Sequence, residues 1–308
     1  MNLPRFLQAL MTLMAVIYVT AGAQVTRDQR VLRSGVDVVM VTATVVDSNG
    51  RLVTDLPREA FEIYEDGDQQ TVTQFTNERV PIGLGLLLDV SDSMFGQRIV
   101  DARLAVERFL FELLSPSDEF FLLAFNHAPH LLTRWTNTAD VMRQALEEIK
   151  PSGGTAIYDA ILSSLPMINQ RNRQRAAIVV FSDGADTASD AAIADVRASL
   201  LRSDAFVYAV AIDSPKRQPI NTRVNPAALN EITNQSGGHT AVVQDAEGLA
   251  VATAKIAEEL NSQYVLGYSS ARATDGKYHS IRVSVRGGGY KVRARNGYVA
   301  GPLSTRRR

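Results

Sequence analysis

The chain has 308 residues, a formal net charge of −1, 21% charged and 45% hydrophobic residues, and no cysteine. The length allows two domains, and the charge balance gives no reason to expect a nucleic acid or an acidic polymer as partner. Without cysteine there is no disulfide, no thiolate zinc site and no lipid-modified cysteine anchor.

Residues 1–5 carry one positive charge, 6–23 carry none and are mostly apolar, and the run closes on Ala21-Gly22-Ala23. That is the pattern of a secretory signal peptide spanning 1–23, with cleavage expected before Gln24 and an exported protein, periplasmic or secreted. The alternative is an uncleaved membrane anchor, for which the apolar run is just long enough. Residues 31–80 then read as β structure. The segment 36–46 is rich in β-branched residues, Asp47-Ser48-Asn49-Gly50 is a turn, and 57–60 is at most one helical turn. Asp66-Gly67 is a hairpin signal joining 61–64 to 71–75. This segment is too small to be stable alone.

From 81 to 261 strands and helices alternate. Strands are expected at 82–89, 120–125, 131–133, 176–181, 206–212 and 240–244, and helices at 99–114, 139–149, 157–169, 190–203, 226–235 and 246–260. Alternation of this kind predicts an α/β fold, a doubly wound, mostly parallel sheet between two helical layers. From 262 to 300 β character returns: 264–268, a strictly alternating 279–285, and 290–295 after a triple-glycine turn. The two β segments are expected to form one small sandwich into which 81–261 is inserted. Residues 301–308 form a basic tail.

The most informative stretch is Leu86-Leu87-Leu88-Asp89-Val90-Ser91-Asp92-Ser93. An apolar run, the mark of a buried parallel strand, ends in one carboxylate and two hydroxyls at alternate positions. Ligands bind at the carboxyl ends of such strands. Oxygen donors without sulfur or imidazole suit magnesium, manganese or calcium. Two further strand-edge segments add Thr155, in Gly153-Gly154-Thr155, and Asp183, in Ser182-Asp183-Gly184. Together these segments resemble a von Willebrand factor type A domain with a complete metal-ion-dependent adhesion site, as found in exported bacterial proteins with such a domain.

The resemblance implies that Ser91 and Ser93 bind Mg2+ (or Mn2+/Ca2+) directly. Thr155 would bind directly in the ligand-competent state, with Asp89 and Asp183 holding waters and hydroxyls around the ion. It further implies adhesion: the ion bridges to an Asp or Glu carboxylate of a protein partner, and a membrane is involved only if the N-terminal segment stays uncleaved. Helix 246–260 leads into Tyr264, so a shift of that helix could couple the site to the β segments. A second reading is a scaffold whose metal only stiffens the loops; a metal-dependent hydrolase is the third, without a nucleophile elbow, a Walker lysine or a His-Glu-x-x-His motif to support it. Asp92, Asp159 and Asp186 read as loop or capping residues, His127 and His130 as a solvated pair, and Arg171, Arg173 and Arg175 as solvated. Asp89→Ala is expected to spare the fold, because sheet packing does not use Asp89.

Overall fold

The computed structural model describes residues 37–113, 115–183, 185–212, 225–272 and 274–301. The expected signal segment 1–23 and residues 302–308 of the basic tail lie outside them. Among the described residues no helix is long and apolar enough to cross a membrane.

The chain opens with β1 (Asp37–Val46), β2 (Phe61–Glu65), β3 (Asp68–Gln70) and β4 (Val72–Thr76). Asp66 and Gly67 both take positive φ, 51° and 90°, as a two-residue hairpin turn requires. The turn sets Glu65 opposite Asp68, so the hairpin partner of β2 is β3, and not the expected 71–75. At Thr71 the chain leaves that sheet, and β4 joins another.

The central region comprises β5 (Ile82–Asp89), α1 (Gln97–Arg108), β6 (Glu119–Phe125), β7 (Pro129–Thr136), α2 (Ala139–Glu147), α3 (Ile157–Asn169), β8 (Arg175–Ser182), α4 (Ile193–Leu200), β9 (Phe206–Ile212), α5 (Pro226–Ser236), β10 (Thr240–Val243) and α6 (Ala246–Asn261). Its six-stranded sheet runs β10-β9-β8-β5-β6-β7, all parallel except the antiparallel edge strand β7. Strand β5 is buried along its whole length. Leu84, Leu86 and Leu88 pack on one face against Ile99 and Val106 of α1 and Ile256 of α6. Leu87 packs on the other with Phe121 and with Ile161 of α3 and Val196 of α4. A Cβ at Gly85 would lie 2.5 Å from the Phe121 ring, so this glycine makes room for an aromatic in the second layer.

Helix starts differ from expectation where side chains intervene. Helix α4 begins at Ile193, not 190, because the Asp190 and Ala191 amides donate to the Asp159 carboxylate and are held in the loop. Helix α1 gives way to one π-helical turn, Phe109–Leu113, instead of continuing regularly. Asp245 caps α6 by accepting from the Gly248 amide at 2.8 Å.

The chain closes with β11 (Tyr264–Ser270), β12 (Tyr278–Val285), β13 (Lys291–Ala294) and β14 (Gly297–Val299). Two four-stranded sheets, β13-β1-β11-β4 and β14-β12-β2-β3, each combine N- and C-terminal strands and flank the central sheet region. Their inner faces share one core that includes Val41, Ile63, Tyr264, Leu266, Tyr268 and Ile281.

The β2–β3 turn is clamped by His279, 4% exposed, whose Nδ1 lies 2.7 Å from Asp66 and Nε2 2.9 Å from Asp275. Carboxylates only accept, so both ring nitrogens donate and the imidazole is charged. Burial opposes that charge, but the two carboxylates outweigh it and raise the His279 pKa above its ordinary value. A raised folded-state pKa contributes stability fully present below the unfolded-state value, about 6.5, and lost as pH rises through the folded-state value. Melting temperature is therefore expected to fall between mildly acidic and alkaline pH, and His279→Gln should flatten that part of the profile. Parallel profiles for the two proteins would refute the clamp.

Candidate metal centre

In the central sheet the chain runs from β5 to β6 and β7 on one side, then returns to β8 on the other. The switch point between β5 and β8 is where an α/β sheet opens a crevice at its carboxyl edge. Asp89 ends β5, and Asp183 follows the last residue of β8, Ser182. Both carboxylates are completely buried.

Asp89 accepts from the Ser91 amide at 2.8 Å and from the Ser182 hydroxyl at 2.5 Å. Ser91 Oγ lies 3.0 Å from Ser93 Oγ, and Ser93 Oγ donates to Asp183 Oδ1 at 2.6 Å. Ser91, Ser93 and Asp183 thus form one chain of oxygens, and Asp89 is tied to it through the Ser91 amide. Thr155 is buried on the adjoining loop, tied in through its backbone: its amide accepts no role in that chain but donates to Thr187 Oγ1 at 3.1 Å, and its carbonyl accepts from the Thr187 and Ala188 amides. No hydrogen bond links the Thr155 hydroxyl to the other four among the described contacts.

The loops brace one another. The Asp92 amide donates to the Gly153 carbonyl at 2.9 Å, and the Ser152 amide to the Val90 carbonyl at 2.7 Å. Gly153 takes φ 79°, and a Cβ there would meet the His127 ring at 2.9 Å, so the turn before Thr155 needs glycine. Asp186 accepts from the Tyr158 amide at the start of α3, a capping role shared by Asp159 toward 190–191. Asp92 is exposed. His127 and His130 are exposed with ring centroids 6.4 Å apart, and no metal-holding cluster of His, Cys, Asp or Glu occurs among the described residues.

Two participants were not expected. Ser182, named above only as part of the segment that carries Asp183, donates its hydroxyl to Asp89. Arg98, in the first turn of α1, pairs with Asp183 Oδ2 and also donates to the Ser93 carbonyl. Arg175 needs a correction of another kind: it is 4% exposed, not solvated, and its guanidinium donates to the carbonyls of Val80 and Leu260 and to Gln263.

Burial pushes the Asp89 carboxyl up to about 7, against the lowering effect of its bonds to Ser182 and Ser91 and helped by the nearby Asp183 charge. Two buried carboxylates, two serine hydroxyls and the Arg98 guanidinium make an oxygen-rich cluster. That donor chemistry fits a hard divalent cation such as magnesium or manganese.

Residues 84–185 match the family model of the von Willebrand factor type A domain, and these bounds enclose all five site residues. The heavy chain H2 of inter-alpha-trypsin inhibitor from Sus scrofa is 28% identical over 134 residues, which is 38% of this chain and 14% of that protein. The chain therefore spans only a small part of the curated relatives it matches. Among solved structures, a von Willebrand factor type A protein from Catenulispora acidiphila superposes with a TM-score of 0.54 at 11% identity, covering 80% of this chain and 74% of that one. Proximal thread matrix protein 1 from the mussel byssus, solved with a zinc-occupied metal-ion-dependent adhesion motif, gives 0.51 at 12% identity over 64% and 49%. Family model and fold agree that this chain carries a von Willebrand factor type A domain.

Proposed function

We propose that the protein is an exported, divalent-cation-dependent protein-binding module. Residues 81–261 would be the binding domain, and 31–80 with 262–300 the β-sandwich that carries it. Ser91, Ser93 and Thr155 would hold the ion, and Asp89 and Asp183 would orient those hydroxyls and waters through charge-assisted hydrogen bonds. When bound, the cation supplies an electron-poor centre for an Asp or Glu carboxylate of the partner. The observation that carries this reading is the Ser91–Ser93–Asp183 oxygen chain at the switch point, closed on its far side by buried Asp89.

Phe95, only two residues past Ser93, is 78% exposed. An aromatic so placed supplies apolar contact beside a polar anchor, the usual make-up of an interface hot spot. The scaffold reading is less well served, because the loops are already cross-braced through Asp92–Gly153 and Ser152–Val90. Export rests on the charge pattern of residues 1–23.

The test is calorimetric titration of Mg2+ and Mn2+ into metal-stripped protein beside a Ser91→Ala/Ser93→Ala variant, followed by partner capture with and without chelator. Binding by the native protein alone, with chelator-sensitive capture, is expected. Metal that raises the melting temperature yet changes no capture would favour the scaffold; no binding by either protein would sink the metal reading.

A further inference from the structure

Arg98 sits where a helix least favours a cation, in the first turn of α1, at the positive end of the peptide dipole. Its side chain is only 14% exposed, so solvent does not compensate it. What compensates it is the candidate metal centre. The same Arg98 nitrogen donates to Asp183 Oδ2 and to the Ser93 carbonyl, while Asp183 Oδ1 takes the Ser93 hydroxyl at 2.6 Å. Arg98 thus contacts both a carboxylate and the backbone of the loop that a cation would need, and its positive charge occupies part of the electrostatic demand of the site.

We propose that Arg98 is a built-in counter-cation that competes with the metal and sets the threshold concentration at which the site loads. The inference rests on the metal-binding reading above and adds its regulation. In the metal-free protein the guanidinium neutralises buried Asp183 and keeps the Ser93 loop in place. A divalent ion held by Ser91, Ser93 and Thr155 would face that guanidinium as a like charge. Either the Arg98 contact to Asp183 opens, or the ion binds against its repulsion. In both cases part of the binding free energy goes into overcoming Arg98, and affinity is lower than the oxygen set alone would give. The loops remain ordered without metal, and loading becomes a response to cation concentration.

The experiment is titration of Mn2+ into the metal-stripped full chain, comparing native protein, Arg98→Gln and Arg98→Lys by calorimetry and by the paramagnetic signal of free Mn2+. Gln removes the charge but can still donate to the Ser93 carbonyl. Arg98→Gln is expected to bind Mn2+ about tenfold tighter or more, since a unit charge a few ångströms from a divalent ion is worth at least that factor even under water-like screening. Arg98→Lys should stay near native. The metal-free melting temperature of Arg98→Gln should fall, and its rise on adding Mn2+ should exceed the native rise. Equal or weaker binding by Arg98→Gln, with the native protein binding, would overturn it and leave the metal reading intact. No binding by native, Gln or Lys protein would remove both. Arg98→Met, close in length and uncharged, replaces the Gln variant should that one not fold.

Discussion

Asp89→Asn is expected to weaken divalent-cation binding about 100-fold or more while leaving the metal-free protein at least as stable as the native one. The affinity loss follows from removing a full charge within a few ångströms of a divalent ion in a buried site. The stability expectation follows from what surrounds Asp89. It is completely buried, no Arg or Lys pairs with it among the described contacts, and its two oxygens take the Ser91 amide and the Ser182 hydroxyl. A buried carboxylate without a cation is costly. Asparagine keeps an acceptor for the Ser91 amide and, with the Ser182 hydroxyl turned, offers a donor to Ser182 Oγ. Alanine would behave differently. It removes the acceptor of the Ser91 amide and one acceptor of the Ser182 hydroxyl, a cost of about 1–3 kcal/mol, so Asp89→Ala mixes a folding defect with a binding defect. Titration with Mn2+ and thermal melts without metal separate the two effects. Native-like Mn2+ affinity in Asp89→Asn would show that Asp89 has no part in the site. A large loss of metal-free stability would show instead that its charge is structural.

Much of this site was legible in the chain because its logic is local. Asp89, Ser91 and Ser93 lie within five residues at the end of an unbroken apolar run, and a parallel strand must present that end at the sheet edge. The central strands and α3 follow from apolar periodicity, and β5 and β9 begin and end where the pattern does. Thr155 and Asp183 stood out by their strand-edge segments, but their roles came only through resemblance, since nothing in a lone threonine or strand-end aspartate announces a ligand. Arg98 and Arg175 were hidden for the opposite reason. A single arginine reads as a solvated charge, and only the fold brings Asp183 to the first and the carbonyls of Val80 and Leu260 to the second, all far away in sequence. The sheet change at Thr71 was hidden too, because 68–76 has no break in its composition, and a turn geometry at Asp66-Gly67 decides where pairing stops.

Glu65 shows how two such distant segments can be bound by one residue, and its removal is the most damaging change expected outside the candidate metal centre. It ends β2, is 2% exposed, and accepts from Tyr268 at 3.0 Å, from Ser270 at 3.0 and 2.9 Å, and from Tyr298 at 2.8 Å. All three donors belong to the C-terminal segment. Burial pushes the Tyr298 hydroxyl up to about 12, with the Glu65 charge adding to the effect, and moves Tyr268 in the same direction, so both remain protonated donors. Glu65→Ala leaves three buried hydroxyls without their acceptor and should cost about 3–5 kcal/mol, as breaking a buried polar network does. Glu65→Gln keeps one acceptor oxygen and should cost less than half of that. Urea unfolding measures both, and a loss under about 1 kcal/mol for Glu65→Ala would mean the network is dispensable. The chain offers a further control, since its one tryptophan, Trp135, lies in β7 against Phe121. Gln263 bonds to Thr44 of β1 and Tyr208 of β9, both at 3.1 Å, and Arg293 pairs with Glu259 of α6 at 2.6 Å. With the flanking sheets joined to the central region in this way, the Trp135 transition should move with the tyrosine transition in Glu65→Ala. A Trp135 transition that stays in place while the tyrosine signal melts early would show that the flanking sheets unfold on their own, and that these polar joints do not couple the candidate metal centre to the flanking sheets.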